Sequence, residues 1–262
     1  MVVDFDGTVT NKYATVNGKE VLVPALIAVL RENFDILGPD YAQKAHELYN
    51  YYRPIEKDPN ISDEEKAAKM EEWRRRHYDL LKEVGLSREM LQKVASDPRV
   101  VLRKWAKEFL DWAREKDIPV IIFSSSGVGT NTIKMVFERY GIKPEDYPNL
   151  KIVSNVLKFD ENGKFVGVEE PVIHSWDKNL GRLRQKLPEI DEILKSADVL
   201  VAIGDNLGDK KVAEGFDGEV FGICFAPDDI RQECEKIFEV VLPQREGTFE
   251  DVVRVIEEKV LS

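Results

Sequence analysis

The chain has 262 residues, 43% hydrophobic and 33% charged, with a net charge of -11. This allows one large domain or two smaller ones around a real core, and it disfavours a nucleic-acid polymer as partner, since like charges repel. No run approaches the ~18 apolar residues of a membrane-spanning helix, and no basic, apolar leader is expected to act as a signal peptide.

Only Met1, Val2 and Val3 precede Asp4, so the first strand, over residues 1–6, is very short. Residues 7–22 read as a loop with Asn17-Gly18 as a turn. From 23 to 99 the apolar spacing is helical. Helices are predicted over 23–32 and 40–52, with Pro54 and Pro59 breaking the chain. Ser62 and Glu65 form a capping box for a helix that runs to Val84 and ends at Gly85, and Ser87 caps the next one. After a helix over 101–116, the run Pro119-Val120-Ile121-Ile122-Phe123 reads as a strand buried on both faces. A helix over 130–140 follows. Residues 151–159 read as a strand that turns at Asp160-Glu161-Asn162-Gly163 into 165–168. Residues 177–186 are helical, 199–203 form a second buried strand, and a helix starts near Asp209. Strands over 220–225 and 240–242 and a helix over 248–261 close the chain. The alternation predicts an α/β fold: a Rossmann-like, doubly wound parallel sheet of residues 1–22 and 100–262, with an all-helical cap, 23–99, inserted after the first strand.

In open α/β sheets ligands bind at the carboxyl ends of the strands. The first strand ends in Asp4 and Asp6, the 119–123 run in Ser124-Ser125-Ser126-Gly127, and the 199–203 run in Gly204-Asp205-Asn206-Leu207-Gly208-Asp209. Each alone is an ordinary polar turn. Together they offer the chemistry of phosphoryl transfer through a covalent intermediate. A carboxylate can attack phosphorus, and Mg²⁺ suits carboxylate and phosphate oxygens, with Asp4 and Asp205 as side-chain ligands. Ser125 followed by Ser126-Gly127 offers a hydroxyl and backbone N–H groups to phosphoryl oxygens. Lys178 is the candidate charge-balancing cation, placed at a helix start where the dipole adds positive charge. Gly127-Val128-Gly129 does not complete a dinucleotide fingerprint, because Thr132 holds its third position. His46 and His174 read as structural, and Cys224 and Cys234 lack partners at disulfide-framework or metal spacing, as expected in a reducing cytosol.

Asp4-Phe5-Asp6-Gly7-Thr8, the Ser125 loop, Lys178 and the 204–209 loop resemble, in order, the four motifs of the haloacid dehalogenase superfamily. The resemblance implies Asp4 as nucleophile, Asp6 as general acid and then base with its backbone carbonyl on Mg²⁺, Ser125 as phosphate ligand, Lys178 as the motif-three lysine, and Asp205 as the remaining metal ligand with Asp209 nearby. Ser124 is the alternative for motif two. Ser-x-Gly-x-Gly spacing favours Ser125.

Asn17-Gly18-Lys19, the stretch from Tyr51 to Pro59, Ser62 to Lys66, and Met70-Glu71-Glu72-Trp73 are similar to the cap of the cytosolic pyrimidine 5'-nucleotidases, the type III family. Phe123 to Gly129, Val153-Ser154-Asn155 and Ile173-His174 extend the similarity over most of the chain. It implies a cytoplasmic, Mg²⁺-dependent hydrolase of nucleoside 5'-monophosphates that prefers CMP and UMP, with Glu56 contacting the base amino group. His77 stands where the family often has a serine that helps read the base. Arg74-Arg75-Arg76 reads as a solvated helix face from which one arginine can meet the nucleotide, and Trp73 as cap core or stacking platform. A monomer acting on a small-molecule substrate is expected. The alternatives are preference for 7-methylguanosine monophosphate, a phosphatase for another small metabolite such as phosphoserine, and a nucleotide-binding module without catalysis.

Overall fold

A computed structural model describes residues 1–262. Six strands make one parallel sheet: β1 (Val2–Val3), β4 (Val120–Phe123), β5 (Leu150–Val153), β8 (Val199–Gly204), β9 (Glu219–Ala226) and β10 (Val240–Pro243), in the order β10-β9-β8-β1-β4-β5. β1 pairs with β4 on one side and β8 on the other, Val2 opposite both Ile121 and Ala202. Two residues suffice for the central strand because both neighbours satisfy its backbone.

The strands feed two cores by strict alternation. Val3, Val120, Ile122, Val201 and Ile203 face one hydrophobic cluster, while Val2, Ile121, Phe123, Leu200 and Ala202 face the other. α5 (Ala106–Glu115), α6 (Gly129–Arg139) and α10 (Phe249–Lys259), the last preceded by the single turn α9 (Arg231–Cys234), cover the first side, and α7 (Leu180–Lys186) and α8 (Ile190–Lys195) the second. Burial of both faces explains the uninterrupted apolar runs. The sheet is the predicted doubly wound α/β core, and its switch point lies at β1.

Between β1 and β4 lie α1 (Leu26–Glu32), α2 (Phe34–Lys57), α3 (Asp63–Glu83) and α4 (Arg88–Ala95), with no strand from 23 to 99. Leu26, Leu30, Tyr41, Leu81 and Leu91 join the first cluster. Gly38, at φ 79°, interrupts α2 just before Pro39. The helix then continues through Pro54 to Lys57. Pro54 therefore does not break it as expected: a proline forfeits one N–H bond, and the surrounding turns hold. Ser62 accepts from the Glu65 N–H at 3.2 Å. Thr248 and Asp251 form a fully reciprocal capping box at α10.

Four further expectations are corrected. Residues 7–22 contain a hairpin, β2 (Tyr13–Val16) and β3 (Lys19–Leu22), closed by Asn17 and Gly18 at φ 51° and 75°. The helix expected over 101–116 starts only at Ala106, because Trp105 is left-handed at φ 67° and Arg103 is buried in other contacts. The strand expected over 151–159 is split, since β6 (Leu157–Phe159) leaves the main sheet to pair with β7 (Phe165–Val168). Near Asp209 the chain makes a short 3-10 turn, Asp209–Ala213, in place of a longer helix.

Candidate active site

The carboxyl ends of β1, β4 and β8 converge on a cleft of about 250 Å³ whose lining includes Asp4, Asp6, Arg74, Ser125, Lys178 and Asp205. After β1 the chain turns sharply. The Thr10 hydroxyl accepts from the Gly7 N–H at 2.9 Å and donates to the Phe5 carbonyl at 3.3 Å. Gly7 sits at φ 86°, and a Cβ there would stand 2.5 Å from Asp205 Oδ2. Glycine is thus required twice, for conformation and for space.

Lys178 Nζ donates to Asp4 Oδ1 at 2.5 Å and to Asp209 Oδ1 at 3.0 Å. Asp209 Oδ2 accepts from the backbone N–H groups of Asp205 and Asn206 at 2.9 and 3.1 Å, and from Asn206 Nδ2 at 2.7 Å. Gly204 leaves room for that carboxylate, since a Cβ would lie 2.1 Å from Asp209 Oδ2. Lys12 Nζ reaches Asp205 Oδ2 at 3.4 Å. The Lys178, Asp4 and Asp209 side chains are only 5–11% exposed. Burial pulls the Lys178 ammonium down, but the Asp209 and Asp4 carboxylates outweigh it, so the group stays charged. Burial raises Asp4 well above the usual carboxylate range, with Lys178 opposing it and Asp209 and Asp205 adding to it. Burial, then Asp209, raises Asp205 too.

Asp6 turns away from this cluster. Its Oδ1 accepts from the Leu26 N–H at 3.0 Å, at the start of α1. Burial raises it to about 6, although that N–H bond acts in the opposite direction. Burial raises both carboxylates of this turn; what separates them is their partner, an ammonium for Asp4 and a backbone N–H for Asp6.

Carboxylate oxygens of Asp4, Asp205 and Asp209 can lie within 4.8 Å of one another. Three acids this close, with burial raising Asp4 and Asp205, leave negative charge that Lys178 and Lys12 only partly balance. An all-oxygen donor set with excess negative charge fits a hard divalent cation such as Mg²⁺. The Asp6 carboxylate stands outside that trio, and Asp209 stands within it. Its spacing four residues after Asp205 was the available signal.

The Ser124–Gly127 loop lines the same cleft. Ser124 and Ser126 are buried, and the Ser124 hydroxyl accepts from the Ser126 N–H at 3.1 Å. Ser125 is the half-exposed serine of the three. Arg74 reaches across from α3, donating to the Ser125 carbonyl at 2.9 Å, and Gly127 leaves space for its guanidinium. The arginine run hid this residue among solvated neighbours. Lys178 precedes α7 instead of opening it, because Asn179 is the cap and accepts from the Arg182 N–H.

Glu56 lies at the rim. Its carboxylate accepts from the Ser175 hydroxyl at 2.5 Å and pairs with Arg53, while Ser175 lines the cleft. His77 does not line the cleft. Its Nε2 meets the Tyr41 hydroxyl at 2.8 Å, and burial, then Arg74, lowers it to about 3, so the ring is neutral. Trp73 stacks on Tyr52 at 5.6 Å between centroids.

Residues 8–260 match the family model for pyrimidine 5'-nucleotidase (UMPH-1). The 7-methylguanosine phosphate-specific 5'-nucleotidase B of Xenopus laevis is 30% identical over 210 residues, which span 79% of this chain and 70% of that protein. The crystal structure of cytosolic 5'-nucleotidase IIIB bound to cytidine superposes with a TM-score of 0.81 at 27% identity, covering 98% of this chain and 84% of that one. A phosphoserine phosphatase solved as a phospho-aspartyl intermediate analogue shares the fold at a TM-score of 0.56 and 17% identity, over 97% and 96% of the two chains. With strand-end acids, serine loop and lysine gathered at one cleft, the chain belongs to the pyrimidine 5'-nucleotidase (UMPH-1) family.

Proposed function

We propose that the protein hydrolyses nucleoside 5'-monophosphates, CMP and UMP preferred, to nucleoside and phosphate, with Mg²⁺ as cofactor and Asp4 as nucleophile. The observation that carries this is the division of partners between Asp4, held by the Lys178 ammonium at 2.5 Å, and Asp6, held on the Leu26 N–H at 3.0 Å.

Asp4 attacks the phosphorus and forms an acyl phosphate as the P–O5' bond breaks. Asp6 delivers its proton to the leaving O5'. The resulting Asp6 carboxylate then takes a proton from the water that attacks the same phosphorus, and phosphate leaves Asp4. Lys178 fixes the Asp4 carboxylate and balances its charge. The Ser125 hydroxyl and the N–H groups of Ser126 and Gly127 hold phosphoryl oxygens. Mg²⁺ would be held by Asp4, Asp205 and the Asp6 carbonyl, and when bound it neutralises phosphoryl charge.

Residues 23–99 act as a cap over the core of 1–22 and 100–262, excluding bulk water while the acyl phosphate persists. Two cap-to-core contacts support this reading: Arg74 on the Ser125 carbonyl and Glu56 on the Ser175 hydroxyl. Glu56 reads the base by accepting from its N–H donors, the exocyclic amine of cytosine or the N3–H of uracil, and His77, neutral beside Tyr41, supports the helix face next to it. Preference for 7-methylguanosine monophosphate is the second reading, favoured by the specificity in the name of the Xenopus relative. A cytosolic monomer is part of the proposal.

Phosphate release from CMP, UMP, AMP, GMP, 7-methyl-GMP and phosphoserine, each with Mg²⁺, tests the assignment. The reading predicts release from the pyrimidine nucleotides, and a larger loss for them than for an aryl phosphate in the Glu56→Gln variant. Release from phosphoserine alone overturns the nucleotide reading. Release from 7-methyl-GMP alone selects the second.

A further inference from the structure

The Asp205 carboxylate is also contacted by a residue outside the three strand-end loops. Gln244 follows β10 and is 3% exposed. Its amide nitrogen donates to the Gly7 carbonyl at 2.9 Å and reaches Asp205 Oδ2 at 3.5 Å. One amide group thus touches both the turn after Asp6 and a proposed metal ligand.

Gln244 is held in turn by Arg103, whose guanidinium donates to its amide oxygen. Arg103 is 1% exposed. It donates to the carbonyls of Thr8 and Gly7 at 2.8 Å each, and to those of Gln244 and Gly247 at 3.0 Å each. Its guanidinium carbon lies 3.8 Å from the Phe225 ring centroid. Burying a guanidinium on neutral carbonyls is costly, so the arrangement requires that each donor be used. All its carbonyl partners belong either to the turn after Asp6 or to the segment that carries Gln244. The pair therefore ties those two segments together directly behind the acids.

We propose that Gln244, anchored by Arg103, is a positioning residue that sets the Asp205 carboxylate against the Asp4–Thr8 turn and so pre-arranges the divalent-cation site. This rests on the metal-dependent reading above. Without the amide, Asp205 Oδ2 keeps only the Lys12 contact at 3.4 Å, from a side chain 32% exposed and correspondingly free to move. Groups that orient metal ligands in this way are typically worth about 10–100-fold in metal affinity.

The test uses the full chain, stripped of metal and titrated with MgCl₂. One readout is the Mg²⁺-dependent rise in unfolding temperature without substrate. The other is the Mg²⁺ dependence of phosphate release. Gln244→Met and Gln244→Asn are compared with wild type. In both, half-saturating Mg²⁺ should rise about tenfold in both readouts, with KM for nucleotide at saturating Mg²⁺ within about twofold of wild type. If the Met variant fails to fold, the Asn variant decides alone. It keeps an amide near Arg103 but is one methylene too short to reach Asp205. A half-saturation within about twofold of wild type overturns the positioning role, as does a uniform loss of stability with an unchanged Mg²⁺ midpoint. A wild type that neither responds to Mg²⁺ nor releases phosphate overturns the metal-dependent reading itself. A responsive, active wild type matched by its variants overturns only the role of Gln244.

Discussion

Removing the Lys178 ammonium should leave a protein held together less by contacts than by pH and metal. Lys178 lies 2.5 Å from Asp4 and 3.0 Å from Asp209, with all three side chains largely buried. Taking away one partner of a buried ion pair typically costs about 3–5 kcal/mol, because the remaining charge stays desolvated. In a chain of this size each kcal/mol moves the melting temperature by roughly 2–4 °C, so Lys178→Met should melt about 10 °C lower near pH 8 without metal. The deficit should depend on pH in a defined direction. Asp4 is already raised above its unfolded value, and Lys178 is what opposes the rise. Without Lys178 it rises further. A carboxyl whose folded pKa is raised keeps its full stability contribution at low pH and loses it as pH climbs through the folded value. The variant should therefore approach wild type near about pH 5, and Mg²⁺ should restore part of the loss near about pH 8. Scanning calorimetry at the two pH values, with and without Mg²⁺, makes the comparison. A loss under about 2 °C, or one indifferent to both pH and Mg²⁺, would refute the charge-balance reasoning.

Other substitutions probe separate parts of the site. In metal-free protein, Asp6→Asn keeps an acceptor for the Leu26 N–H but removes a group raised from 3.8 to about 6. That shift corresponds to about 3 kcal/mol lost by wild type as pH rises through 6, so the variant should be the more stable one above about pH 7 and indistinguishable near about pH 4, as measured by urea unfolding. The same variant should lose nucleotide turnover far more than turnover of an aryl phosphate with a good leaving group, as read by kcat for each. His77→Ala should cost about 1–3 kcal/mol by leaving the fully buried Tyr41 hydroxyl without its partner, while kcat stays near wild type. Gly7→Ala should abolish phosphate release, since its Cβ would stand 2.5 Å from Asp205 Oδ2.

The parts of the fold legible in sequence were those decided locally. Val120–Phe123 and Val199–Gly204 announce themselves as doubly buried strands by continuous apolar runs, and the polar residues just beyond them mark the cleft. Long-range contacts decided the rest. Asn155 splits the expected 151–159 strand because its side chain bonds the Ser126 carbonyl and both backbone groups of Ile173, at 2.8–3.1 Å. Arg103 delays α5 because its guanidinium is committed to carbonyls from residues 7, 8, 244 and 247. The hairpin over 13–22 is largely exposed on Lys19, Glu20 and Leu22, so it lacks the alternation of a half-buried strand. Gln244 touches the site from a segment with no motif of its own, and the arginine run at 74–76 did not say which of its members reaches the serine loop.

The most direct test of the central claim is Mg²⁺-dependent phosphate release from CMP by wild type and by Asp4→Asn, each with Mg²⁺ and with a chelator. The account predicts release by wild type in Mg²⁺, none with the chelator, and none from the variant under either condition. Release by Asp4→Asn at a rate near wild type would contradict it, because phosphorus would then be attacked by something other than the Asp4 carboxylate.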